Sequence, residues 1–186
     1  MSPARKLMPP ALLVRERLNY DPSDGSFKWN VGYGKPGPAG RVDAKGYLII
    51  GLDRVEYKAH RLAWLYMTGE EPPTFIDHVN GNKTDNRWSN LRSATSGQNV
   101  ANSRIRNRHS SGLKGVYRAS KGDCWAARIV KDGRSNHLGC FVTPELAHDA
   151  YMSAAQDLHG EFANGGSMQS EGAVTKSGGG GHSDGM

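Results

Sequence analysis

The stretch FIDHVNGNKTDNRWSNLRSAT, residues 75–95, followed by SGQN, constrains this chain more than any other. FIDHV is a strand by composition, NGNKTDNRWSN is too rich in turn formers for regular structure, and LRSAT reads as a second short strand. Thr95 with Gln98 three positions on makes a capping box, so TSGQNVANSR starts a helix. The predicted unit is strand, loop, strand, helix. Its crowd of Asn has two readings. Asn side chains cap and mimic backbone turns, and an acid, an imidazole and amide oxygens also build a site for a hard metal ion. Neighbours on a regular strand point to opposite faces, so Asp77 and His78 share a site only if the strand ends there. Asn80-Gly81 offers the turn.

Around this unit the chain divides into short elements. PPALLVRERLNY, residues 9–20, predicts a helix with one weak apolar face, and DPSDG ends it before the short strand SFKWN. VGYGKPGPAG holds too much Gly and Pro for regular structure. YLIIGLDRVEYKAH reads as a hairpin around an Asp-Arg turn, and HRLAWLYMTG as a helix closed by Gly69. After the basic linker SRIRNRHSSG, residues 103–112, the pattern becomes a meander of three strands, LKGVYRAS, CWAARIVKDG and SNHLGCF. TPELAHDAYMSAAQDLHG then predicts a helix capped by Thr143, with Pro144 in its first turn. Residues 165–186 have nothing to bury and predict a disordered tail. The fold class is α+β.

Composition narrows the partners. Lys and Arg number 24 against 18 Asp and Glu, a net charge of +6. That surplus suits a polyanion such as nucleic acid, or serves solubility. The two Cys form no C-x-x-C pair, which argues against a thiolate zinc site and a disulfide framework and for a reducing interior. No apolar run approaches the ~20 residues of a membrane span. The expectation is a soluble, intracellular and cytoplasmic protein without a membrane partner.

HRLAW, IDHVNGNKTDNRWSNLRSAT and SGQN resemble the HNH homing and phage-encoded endonucleases of ββα-metal fold, in the HNN variant. The resemblance covers residues 58–102 closely. It implies a phage- or bacterium-encoded DNA endonuclease with Asp77 and Asn99 as metal ligands and His78 as the general base. Asn90 would orient His78 and tie the loop. Asn99 stands where many members carry His, which favours Mg²⁺ or Mn²⁺ over a transition metal. Asn80, Asn82 and Asn86 are expected to shape the loop only, and His60 to be a packed helix-start residue.

Residues 112–164 resemble the plant ethylene-response-factor (APETALA-type) DNA-binding domain through KGVY, WAARI, HLGCF and LHGEFAN. That family lays a three-stranded sheet in the major groove. Alternation turns Trp125, Ala127 and Ile129 toward the helix and Arg128 outward. Lys114, Arg118, Arg128, Lys131, Arg134 and His137 become the candidate DNA contacts, on a face expected to hold no opposing acid. Tyr151 serves either helix packing or a phosphate contact.

The sequence thus predicts a nuclease domain over residues 1–102, with an N-terminal β-hairpin region, and a linker at 103–112. A sheet-plus-helix DNA-binding module at 113–164 and a tail at 165–186 follow. The expected activity is metal-dependent hydrolysis of duplex DNA by a monomer or homodimer. The alternative is a DNA-binding regulator whose nuclease unit no longer cuts.

Overall fold

A computed structural model describes residues 7–103, 111–120, 123–131 and 133–166. Most of the basic linker and of the expected tail lies outside the described residues. Helix α1 (Ala11–Arg17) is shorter than the sequence pattern suggests, because Leu18–Tyr20 is a strand, β1, paired antiparallel with β2 (Phe27–Trp29). Alternation decides this. Leu18 and Tyr20 turn inward and Asn19 outward, and Tyr20 stacks on Phe27 at 4.7 Å. A helix that buries only Val14 has little to set against that pairing.

Strands β3 (Arg41–Val42), β4 (Leu48–Leu52) and β5 (Val55–Lys58) form an antiparallel sheet in sequence order. The hairpin turns at Asp53 and Arg54, both left-handed with φ of 49° and 66°. Such backbone strains a residue that carries Cβ, and Arg17 ion-pairs with Asp53 there. Helix α2 (Ala59–Thr68) follows without a loop and ends on Gly69 at φ 75°, a left-handed cap that glycine takes freely. Its Leu62, Ala63 and Leu65 pack with Val14, Leu18, Phe27 and Ile50 into the main core.

Strands β6 (Phe75–His78) and β7 (Leu91–Ala94) pair antiparallel, with Asp77 opposite Arg92 and His78 opposite Leu91. Helix α3 (Ser96–Ala101) packs on this hairpin. Its capping box is complete: Gln98 N–H donates to Thr95 Oγ1 at 3.2 Å, and Thr95 N–H donates to Gln98 Oε1 at 2.8 Å.

Strands β8 (Val116–Arg118), β9 (Trp125–Lys131) and β10 (Arg134–Phe141) form a second three-stranded antiparallel sheet with β9 central. Helix α4 (Pro144–His159) covers one face, capped by Thr143 as the sequence indicates. Val116, Ala127 and Ile129 bury against Ala147, Tyr151 and Ala155. Gly115, at φ 75°, is required here: a Cβ would stand 2.1 Å from the Tyr151 ring. Tyr151 is therefore helix packing, and burial pushes its phenol up to about 12. A short 3-10 turn, Gly160–Phe162, carries the chain back toward α3. Among the described residues no helix is long and apolar enough to cross a membrane.

Candidate active site

The paired strands β6 and β7 place Asp77 and His78 at the end of a short ladder, both almost fully buried. The strand includes His78 and the chain turns immediately after it, with Gly81 N–H donating to His78 O at 2.8 Å. The two side chains consequently have separate partners. Asp77 meets Arg92 and Asn102. Arg92 Nε donates to Asp77 Oδ2 at 3.0 Å, and Asn102 Nδ2 reaches Oδ1 at 3.0 Å and Oδ2 at 2.9 Å. The same amide donates to His78 O at 2.8 Å, so Asn102 fixes both the carboxylate and the backbone of its neighbour.

His78 meets Asn86, with Nε2 3.3 Å from Asn86 Oδ1. An amide oxygen there favours the proton on Nε2 and leaves Nδ1 as the basic nitrogen. Its ring meets His60 edge to face at 5.0 Å, and Tyr47 lies 6.3 Å away. Burial holds His60 well below the ordinary histidine value. His78 is also lowered by burial, against the opposing effects of the Asn86 hydrogen bond and the Asp77 charge. Both imidazoles are neutral at neutral pH. His60 is a packed residue at the start of α2, and its Nδ1 is buried without a hydrogen-bond partner among the described residues.

The loop between the strands is built by its amides. Asn82 N–H donates to Asn80 Oδ1 at 2.8 Å and Thr84 N–H to Asn82 Oδ1 at 3.1 Å. Asn90 closes the loop from its far end: Nδ2 donates to Asp85 O at 2.7 Å and to Asn80 Oδ1 at 3.0 Å, while Oδ1 accepts from Asn80 N–H at 3.0 Å. Asn90 thus ties the loop, and the amide beside His78 is that of Asn86. The amino-terminal hairpin supports this loop through Tyr20, whose hydroxyl donates to Asn86 O at 2.6 Å. Gly25 lies so close that a Cβ would stand 2.3 Å from Arg87 N.

Asn99 is half-buried on α3, one turn before Asn102. Residues three apart share a helix face, so Asn99 and Asn102 lie on one side of α3. Sequence reasoning missed Asn102, although N-V-A-N carried the signal. Among the described residues no group of three or more His, Cys, Asp and Glu side chains converges. With Asp77 and Asn99 as ligands, the donor set would be one carboxylate and a helix amide. It fits a hard ion that keeps most of its water rather than a metal in an all-protein cage. Asp77 Oδ1, with a single hydrogen bond among the described residues, retains a lone pair for such an ion.

The second sheet separates its candidate cations. Arg128, Lys131, Arg134 and His137 are exposed, with His137 opposite Arg128 and Arg134 opposite Lys131. Lys114 turns elsewhere: Nζ donates to the carbonyls of Ala101 and Ser103 at the end of α3, and burial lowers it to about 8. Arg118 ion-pairs with Asp123 and lies over the Trp125 ring at 5.0 Å. Asp123 corrects the expectation that no acid opposes these cations.

The end of the second sheet-helix unit also reaches the site. Arg92, the partner of Asp77, lies 3.6 Å from the Phe162 ring centre and donates to Glu161 O at 3.0 Å. Asn164 Nδ2 donates to Asn102 O at 3.0 Å and Oδ1 at 3.1 Å.

A buried Asp-His pair on a hairpin backed by a capped helix defines a nuclease-like centre, and the comparisons agree. Residues 57–101 match the HNH endonuclease family. A protein of Acanthamoeba polyphaga mimivirus named an uncharacterised HNH endonuclease is 32% identical over 144 residues, 76% of this chain and 68% of the relative. Protein 3.8 of Escherichia phage T7 is 29% identical over 111 residues, 58% of this chain and 91% of that protein. The chain belongs to the HNH endonuclease family and is a nuclease.

Proposed function

We propose that this chain is a metal-dependent endonuclease that hydrolyses phosphodiester bonds in duplex DNA, with the β6–β7–α3 unit as a ββα-metal centre. The carrying observation is Asp77: a buried carboxylate held by Arg92 and Asn102 with a lone pair left on Oδ1. Asp77 and Asn99 would hold a hydrated Mg²⁺ or Mn²⁺. When bound, such an ion stabilises charge on the phosphate and the leaving 3′ oxygen.

The chain's own groups do the rest. Arg92 and Asn102 fix the carboxylate, and Asn90 closes the loop that presents His78. Asn86 holds the imidazole in one tautomer, so Nδ1 accepts the proton of an attacking water. The product carries a 5′ phosphate. Residues 1–102 form the nuclease domain and residues 113–164 a DNA-binding module of the ethylene-response-factor type, joined by the linker at 103–112. The open face of its sheet offers Arg128 and His137 to duplex, whereas Lys131, Arg134 and Arg118 fall by register on the Ile129 side and would reach duplex only from the ends of the strands. Lys114 joins them only by leaving its carbonyl partners.

The test incubates supercoiled plasmid with Mg²⁺ or Mn²⁺ and compares wild type with Asp77→Ala. Nicked or linear product bearing 5′ phosphate from wild type, and at least about 100-fold less from the variant, is expected. Duplex binding without cleavage in either metal would make the chain a DNA-binding regulator instead.

A further inference from the structure

The nuclease unit carries a cationic cluster of its own, on the side of the hairpin that His78 faces. Tyr47, half-buried immediately before β4, sets its ring 5.4 Å from His60 and 6.3 Å from His78. Two ammonium groups approach that one ring. Lys58 Nζ lies 3.9 Å from the ring centre and Lys83 Nζ 4.7 Å. Lys83 comes from the tip of the Asn-rich loop and donates to Lys45 O at 2.9 Å, which brings a third lysine's backbone into the cluster.

Two like charges over one ring repel, and the cation–π attraction of roughly 0.5–1 kcal/mol at exposed sites offsets only part of that. Structural lysines are normally paired or dispersed. Here, among the described residues, neither Lys58 nor Lys83 has a carboxylate within 4.0 Å. The nearby acid, Asp43, has its Oδ1 taken by the backbone N–H groups of Lys45 and Tyr47 at 2.8 and 2.9 Å. The local balance is positive, and an anion relieves it.

From this placement we infer that Tyr47, Lys58 and Lys83 form a phosphate-binding platform. It would grip the DNA strand next to the bond presented to His78. The inference rests on the nuclease reading above and adds a contact on the nuclease unit to those of the second sheet. Its ligand is a phosphodiester of the DNA backbone. The ring gives the ammonium groups a fixed seat, and their charge, rather than base contacts, supplies the affinity.

The experiment measures binding of a fluorescein-labelled duplex without divalent metal across a NaCl series, for wild type, Lys58→Gln, Lys83→Gln and Lys58→Arg. Each Gln variant is expected to lower the slope of log K against log salt by about 1, and Lys58→Arg to keep it. Lys83 is exposed, so its variant tests the platform even where Lys58→Gln unfolds. Unchanged slopes for the folded Gln variants, or equal losses for Lys58→Gln and Lys58→Arg, overturn the platform. Plasmid cleavage by wild type is scored separately. Its absence would refute the nuclease reading, whereas the slopes decide the platform alone.

Discussion

Asn86 shows how one amide takes a part that its position in the sequence does not reveal. It is 1% exposed, its Nδ2 donates to Thr84 O, and its Oδ1 faces His78. Substituting it should free the imidazole to rotate and change tautomer. Asn86→Ala is expected to lower cleavage about 10–100-fold with duplex affinity unchanged, read by parallel plasmid and anisotropy assays. Asn90, whose three side-chain hydrogen bonds among the described residues all lie within the loop, should instead affect stability. His60 makes a pH prediction. Its folded value is lowered by burial, so between that value and the ordinary one of about 6.5 the unfolded chain binds more protons. Stability from this burial is whole above about pH 6.5 and is lost as pH falls below it toward the folded value. Melting temperatures from about pH 7.5 to about pH 5 should fall for wild type, and fall less for His60→Leu.

At the scale of elements, local chemistry was legible and tertiary pairing was not. The capping box of Thr95 and Gln98, the glycine stop at Gly69 and the Thr143 cap each depend on residues within one turn, and each stands as the sequence indicates. Leu18–Tyr20 continues a helical pattern locally, and only its partner strand shows it to be β. Asp77 and His78 were legible as a pair. Their separate partners were not, because Arg92, Asn102 and Asn86 reach them through the fold. The β4–β5 turn offers a simple test. Arg54 sits at φ 66°, so Arg54→Gly should stabilise the chain by about 1 kcal/mol in urea unfolding. Thr143→Ala should cost about 1 kcal/mol by the same measurement.

At the scale of the whole molecule, the second sheet and α4 are held to the β6–β7 hairpin through the groups that support Asp77. Phe162 lies under Arg92, and Asn164 grips Asn102. These contacts join sequence positions too far apart for pattern reading to connect. Phe162→Ala removes a buried ring, 5% exposed, and should cost about 3 kcal/mol of stability. The β6–β7–α3 unit and the second sheet with α4 thereby belong to one framework. The most direct measurement of that account follows His78→Ala and wild type on the same labelled duplex, binding first without metal and then cleavage in Mg²⁺. Equal affinity with cleavage lost at least about 100-fold is the predicted result. Equal cleavage by both proteins would contradict it.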